Sequence, residues 1–79
     1  MPKFYVSYKN VKIITDENNS ENAAGRMMVL IKKLNTKSLI YVDERGFRIR
    51  DASHKYKIVK SIDKDTKKPI WYLVRKPRN

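Results

Sequence analysis

Phe4, Val6 and Tyr8 alternate with Tyr5 and Ser7, and after Lys9-Asn10 the alternation resumes with Val11 and Ile13 against Lys12. Successive strand side chains point to opposite faces, so this period of two predicts two strands joined by a tight turn. Asn10 suits the positive φ that two-residue hairpin loops require. Asp16 to Ser20 is polar and acidic, with Asn18 or Ser20 available as an N-cap and Glu17 or Glu21 placed where a helix carries its positive end. Ala23, Met27, Leu30, Ile31 and Leu34 then recur at helical spacing as one apolar stripe, while Asn22, Arg26 and Lys33 fall on the other face. Lys32, Lys33 and Asn35 suit the C-terminal end of that helix.

Leu39-Ile40-Tyr41-Val42 is a short apolar run broken by the turn Asp43-Glu44-Arg45-Gly46, which predicts a second hairpin. Its returning strand has Phe47 and Ile49 on one face and Arg48 and Arg50 on the other. After Asp51-Ala52-Ser53-His54, the segment Lys55 to Ile62 alternates again, with Tyr56, Ile58 and Ile62 opposite Lys57 and Val59. Asp63 to Lys68 reads as a charged turn, and Pro69 opens a last strand in which Ile70, Tyr72 and Val74 share one face and Trp71, Leu73 and Arg75 the other. Tyr56, Ile58, Ile70, Tyr72 and Val74 are the expected sheet partners of the helical stripe. Pro77 ends the strand, and residues 76–79 are expected to form a frayed basic tail. The pattern predicts an α+β fold in the order ββαββββ: a single compact domain over residues 1–79, with a mostly antiparallel sheet of about five or six short strands and one helix on one face.

Composition narrows the function. A chain of 79 residues builds a core worth about 3 to 5 kcal/mol net, too small for a deep pocket ringed by several shells of protein. Cysteine is absent and His54 is the only histidine, so no thiolate or histidine cluster is available for zinc and no cofactor is expected. High charge is half of the signature of disorder, but 41% hydrophobic residues, eight aromatics among them, supply the material of a core. No apolar run is long enough to span a membrane, and Met1 to Val11 alternates where a signal peptide needs a continuous apolar stretch. A soluble, cytoplasmic protein is expected.

Nineteen lysines and arginines against eight acidic residues give a formal charge of +11, and the excess is greater from Tyr41 onward. That exceeds what solubility asks of a small domain, about 2 to 8 charges, and such a field draws in polyanions. The carboxylates fall almost entirely in turns, and Asp63-Lys64-Asp65 lacks the bidentate glutamate of a calcium loop. Ser53 and His54 are adjacent in a short loop with no third group to orient them, and Gly25 and Gly46 are the only glycines, so no phosphate-binding glycine loop exists. Catalysis is not expected. Arg45-Gly46-Phe47 matches the opening of the RRM signature, but Arg48, Ile49 and Arg50 do not continue it, and a KH loop is missing.

The expected binding surface combines cations with an exposed aromatic. If the helix covers one sheet face, Arg48, Arg50, Lys57, Trp71 and Arg75 occupy the other, with Lys64, Lys67 and Lys68 in the turn at one edge. Such a surface pairs with phosphates and offers an indole to an unpaired base. The opening Phe4-Tyr5-Val6-Ser7-Tyr8-Lys9-Asn10-Val11-Lys12-Ile13, the acidic Asp16-Glu17 loop and a short helix containing Ala23-Ala24 resemble small early proteins of tailed bacteriophages. The resemblance covers the first half of the chain. It implies a non-enzymatic protein acting in the host cytoplasm on transcription, RNA turnover or defence, although the basic charge departs from the acidic nucleic-acid mimics among phage inhibitors. The leading expectation is a small basic protein that binds RNA or DNA mainly through sequence-independent phosphate contacts. The alternative is an inhibitor or adaptor that docks on an acidic surface of a host protein, such as a nucleic-acid enzyme.

Overall fold

A computed structural model describes residues 2–76. Its elements run β1 (Lys3–Tyr8), β2 (Val11–Asp16), α1 (Ser20–Leu30), β3 (Leu39–Asp43), β4 (His54–Ile62) and β5 (Pro69–Arg75). All pairings are antiparallel, and the sheet order is β2-β1-β3-β4-β5. The chain is thus an α+β domain with one helix on a five-stranded sheet.

The first hairpin closes with Tyr8 opposite Val11, leaving Lys9-Asn10 as the two-residue loop. The left-handed residue is Lys9, at φ 52°, rather than Asn10. The α1 N-cap is Asn19, between the two expected positions; its side chain accepts a hydrogen bond from the Asn22 N–H at 2.8 Å. Arg26, on the outer side of α1, reaches back to Glu17 at the end of β2, 3.3 Å away. The helix stops a turn earlier than its apolar spacing predicts. Ile31 is already extended, and Leu34 reaches the core from the connecting segment.

Small residues decide how the helix sits. Ala23, Ala24 and Met27 are fully buried against Phe4, Val6 and Tyr8 of β1, Ile40 and Val42 of β3, and Tyr56 and Ile58 of β4. With Ala23 and Ala24 both turned inward, the contact line runs through Ala24, Met27 and Ile31, and it leaves Leu30 55% exposed. The Ser20 hydroxyl lies 2.6 Å from that of Tyr56, tying the first turn to β4.

Two further departures concern the strands. No strand forms at 47–50; residues 44–53 are bends and a turn, so the order is ββαβββ. The cause is Asp43, which is fully buried and accepts five hydrogen bonds: from the Arg45 N–H, Nε and Nη2, and from the Ser53 N–H and hydroxyl. That pins the two ends of the segment, the Arg45 and Ser53 N–H groups, to one carboxylate and draws it into a loop in place of a strand. Phe47 packs edge-on against the Tyr5 ring, with centroids 5.2 Å apart. The second failure concerns β5. Leu73 sits opposite Ile58 and packs with Trp71 against the core, so Ile70, Tyr72 and Val74 face away from the helix. Both faces of this strand are apolar, and alternation cannot say which one turns inward.

Lys76 donates its N–H to the Lys55 carbonyl at 2.8 Å, continuing the β4–β5 ladder where a frayed tail was expected. The remainder of that tail, residues 77–79, lies outside the described residues.

Candidate nucleic-acid interface

The helix covers one face of the sheet, and the register fixes what the other presents. Tyr41 stands opposite Lys55, Leu39 opposite Lys57, Lys57 opposite Val74, and Val59 opposite Tyr72, all on the side away from α1. The segment 44–53 folds over the β1–β3 end of this open face, where Phe47 meets Tyr5 and the Lys12 ammonium lies 5.8 Å from the Phe47 ring. The β4–β5 end is uncovered: Ile70, Tyr72 and Val74 are 43%, 46% and 44% exposed.

β3 ends at Leu39, opposite Lys57, whereas β4 continues to Ile62 paired only with β5. The two strands therefore run on past the sheet as a two-stranded ribbon. A groove of about 840 Å³ lies at the root of this ribbon, lined by Lys37, Lys57, Lys60 and Lys76 together with Leu39 and Val59. Four lysines line it, Lys60 with its ammonium over the Trp71 ring on the helix side, and among the described residues no carboxylate does. Lysine brings long apolar stems as well as charge, so the groove is greasy at its floor and positive at its rim. Asp43, on the open side at the far end of β3, is neutralised: the Arg45 guanidinium 2.7 Å away holds it well below the usual carboxylate range against the opposing effect of burial.

The expected site residues are dispersed over the molecule. Only Lys57 lies in the groove. Lys64, Lys67 and Lys68 cap the ribbon in an exposed turn, in which the Lys67 N–H bonds the Asp63 carbonyl at 2.7 Å and Lys67 itself takes φ 58°. Arg48 and Arg50 are exposed but belong to the segment 44–53 and not to a strand; Arg48 pairs with Asp51, lowering that carboxyl's pKa. Trp71 and Arg75 are on the helix side. The indole packs partly against the core beneath the Lys60 ammonium, 5.5 Å from its ring, and Arg75 meets His54 Nδ1 at 3.1 Å. The common face expected for Arg48, Arg50, Lys57, Trp71 and Arg75 is therefore not formed.

The structure instead lines the groove with Lys37, Lys60 and Lys76 beside Lys57, and sets Lys55, Tyr41 and Tyr72 on the same open face as Lys57. Part of this was open to inference. Lys55 and Lys57 alternate with the inward Tyr56 and Ile58, which already puts them on the outer face. Tyr72 was the hidden member, because its face depends on the pairing of Leu73 with Ile58. Lys37 carried no signal, since its place comes from the turn at Asn35, whose side chain accepts from the Lys37 N–H at 2.8 Å.

These features define a small α+β domain with an open, basic and aromatic sheet face. No protein family, curated protein or solved structure matches the chain. Among the described residues no helix is long and apolar enough to cross a membrane, and no group of acidic or histidine side chains gathers as a metal site.

Proposed function

We propose that this protein is a small, non-enzymatic nucleic-acid-binding module that holds the sugar-phosphate backbone in the lysine groove. The observation that carries the reading is the groove itself: Lys37, Lys57, Lys60 and Lys76 around one concavity free of carboxylates among the described residues. Ammonium groups gathered without counter-charges repel one another, and a polyanion relieves that repulsion while releasing its own condensed counterions. The contacts are to phosphate, so binding is largely independent of sequence. The ribbon-tip cations Lys64, Lys67 and Lys68 extend the positive surface and steer encounter.

The test is a salt titration. With about three to five phosphates engaged, log K for a generic oligonucleotide falls with log salt at a slope of about −2 to −4. Alanine at both Lys57 and Lys60 reduces that slope by about one to two. Absence of binding at low salt, or an affinity indifferent to salt, removes the proposal.

A second reading has an observation of its own. β5 is an edge strand whose Ile70, Tyr72 and Val74 are exposed, and such an edge accepts an added strand from a partner. On this reading the chain is an adaptor or inhibitor that docks on an acidic segment of a host protein.

A further inference from the structure

We infer that the nucleic acid taken by this face is single-stranded, its bases stacking on Tyr72 and Tyr41 while its phosphates follow the lysines beside them. The inference rests on the nucleic-acid reading above and specifies its ligand.

The open face is not uniformly cationic. Tyr72, Ile70 and Val74 are each more than two-fifths exposed, and they stand beside Lys57 and Val59 on the same face. A duplex turns its phosphates and sugars outward and keeps the faces of its bases stacked inside, so it offers nothing to a patch of tyrosine and aliphatic side chains. An unpaired strand offers base faces and phosphates together, and the two surfaces then match group for group.

The register gives the spacing. Tyr41 lies beside Lys55 on the β3 side of β4, and Tyr72 lies beside Val59 on the β5 side. At ordinary strand rise and strand separation the two positions stand roughly 16 Å apart on a diagonal across the face, with Lys57 midway and Lys55 beside Tyr41. Two aromatics flanking a cation, with a second cation beside the first ring, suit an extended strand whose outer bases stack while its intervening phosphates are neutralised.

The protruding ribbon has the width to enter a duplex major groove. Its residues 58–62 and 69–73 contain no Arg, Asn or Gln to bond base edges there, and of its two other polar side chains, Lys60 and Ser61, the lysine is held over the Trp71 ring on the helix side. The rings that the ribbon does present are Trp71, turned toward the core, and Tyr72, turned toward the open face.

The experiment compares a labelled mixed-sequence strand of about 12 nucleotides with its blunt duplex, by fluorescence anisotropy at one fixed salt concentration. The wild-type protein binds the single strand about tenfold or more tighter than the duplex. Tyr72→Ala weakens single-strand binding by about tenfold, leaves duplex binding within about twofold, and keeps the salt slope. Tyr72→Phe retains wild-type binding. Tyr72→Leu preserves apolar bulk without a ring and behaves as Tyr72→Ala, which separates stacking from packing should the alanine variant melt early. Equal affinity for the two forms, or single-strand binding unchanged in both Tyr72→Ala and Tyr72→Leu, overturns the inference while leaving the salt-dependent nucleic-acid reading standing. No binding to either form removes both.

Discussion

The carboxylate of Asp43 has no exposed surface, and Arg45, its ion-pair partner, is half exposed. The pair closes segment 44–53 back onto β3, with Arg45 also donating to the Asp51 carbonyl at 2.9 Å. Burial alone would raise the pKa of Asp43, but the hydrogen bonds from Arg45 and Ser53 outweigh it, and the folded-state value is depressed. A depressed carboxylate lends its full stabilisation above the unfolded-state pKa, near about 3.9, and loses it as pH falls from there toward the folded value. Urea unfolding of the wild-type protein between about pH 5 and pH 2 therefore shows a steeper loss of stability than that of Asp43→Asn. At neutral pH the substitution itself costs about 2 to 4 kcal/mol, since it removes the charge to which Arg45 and Ser53 are organised. Parallel pH profiles for the two proteins contradict this role. The sequence shows Asp43 only as the first residue of a polar turn, and nothing in its neighbours marks it as buried. The information lies ten positions on, in Ser53, which supplies two of its hydrogen bonds.

At the scale of elements, period decides existence and pairing decides orientation. The β1–β2 hairpin, β4 and β5 are legible from alternation, α1 from helical spacing, and β3 from its short continuous apolar run. The strand expected at Phe47–Arg50 has the same alternation, but the clamp on Asp43 ties down the residues that flank it, Arg45 and Ser53, and the segment loops between them. For α1 the spacing fits more than one stripe, and the choice falls to the pair of alanines that allow close approach. Met27→Asp consequently abolishes cooperative thermal unfolding, because an unpaired buried carboxylate costs several kcal/mol, about the whole net stability of so small a domain. Leu30→Asp, at a position 55% exposed, shifts stability by about 0.5 kcal/mol or less. Equal loss in the two variants places the contact line of α1 elsewhere.

For the whole molecule, charge motivates the proposed polyanionic partner but carries no information about the place. A formal +11 is a property of composition, whereas the groove exists because β3 is shorter than β4 and the turn after α1 brings Lys37 beside the step. Local pattern carries no such information, since strand length against a neighbour is a tertiary property. This is why Lys57 alone of the expected site residues lies in the groove, while Trp71 and Arg75 fall on the helix side. The most direct test follows backbone amide shifts by NMR as a short single strand is titrated into the protein. The largest changes fall at Lys37, Tyr41, Lys55, Lys57, Val59, Tyr72 and Lys76, and α1 stays still. Changes centred on α1, or on Trp71 and Arg75 with Lys57 and Tyr72 unmoved, contradict the open-face interface.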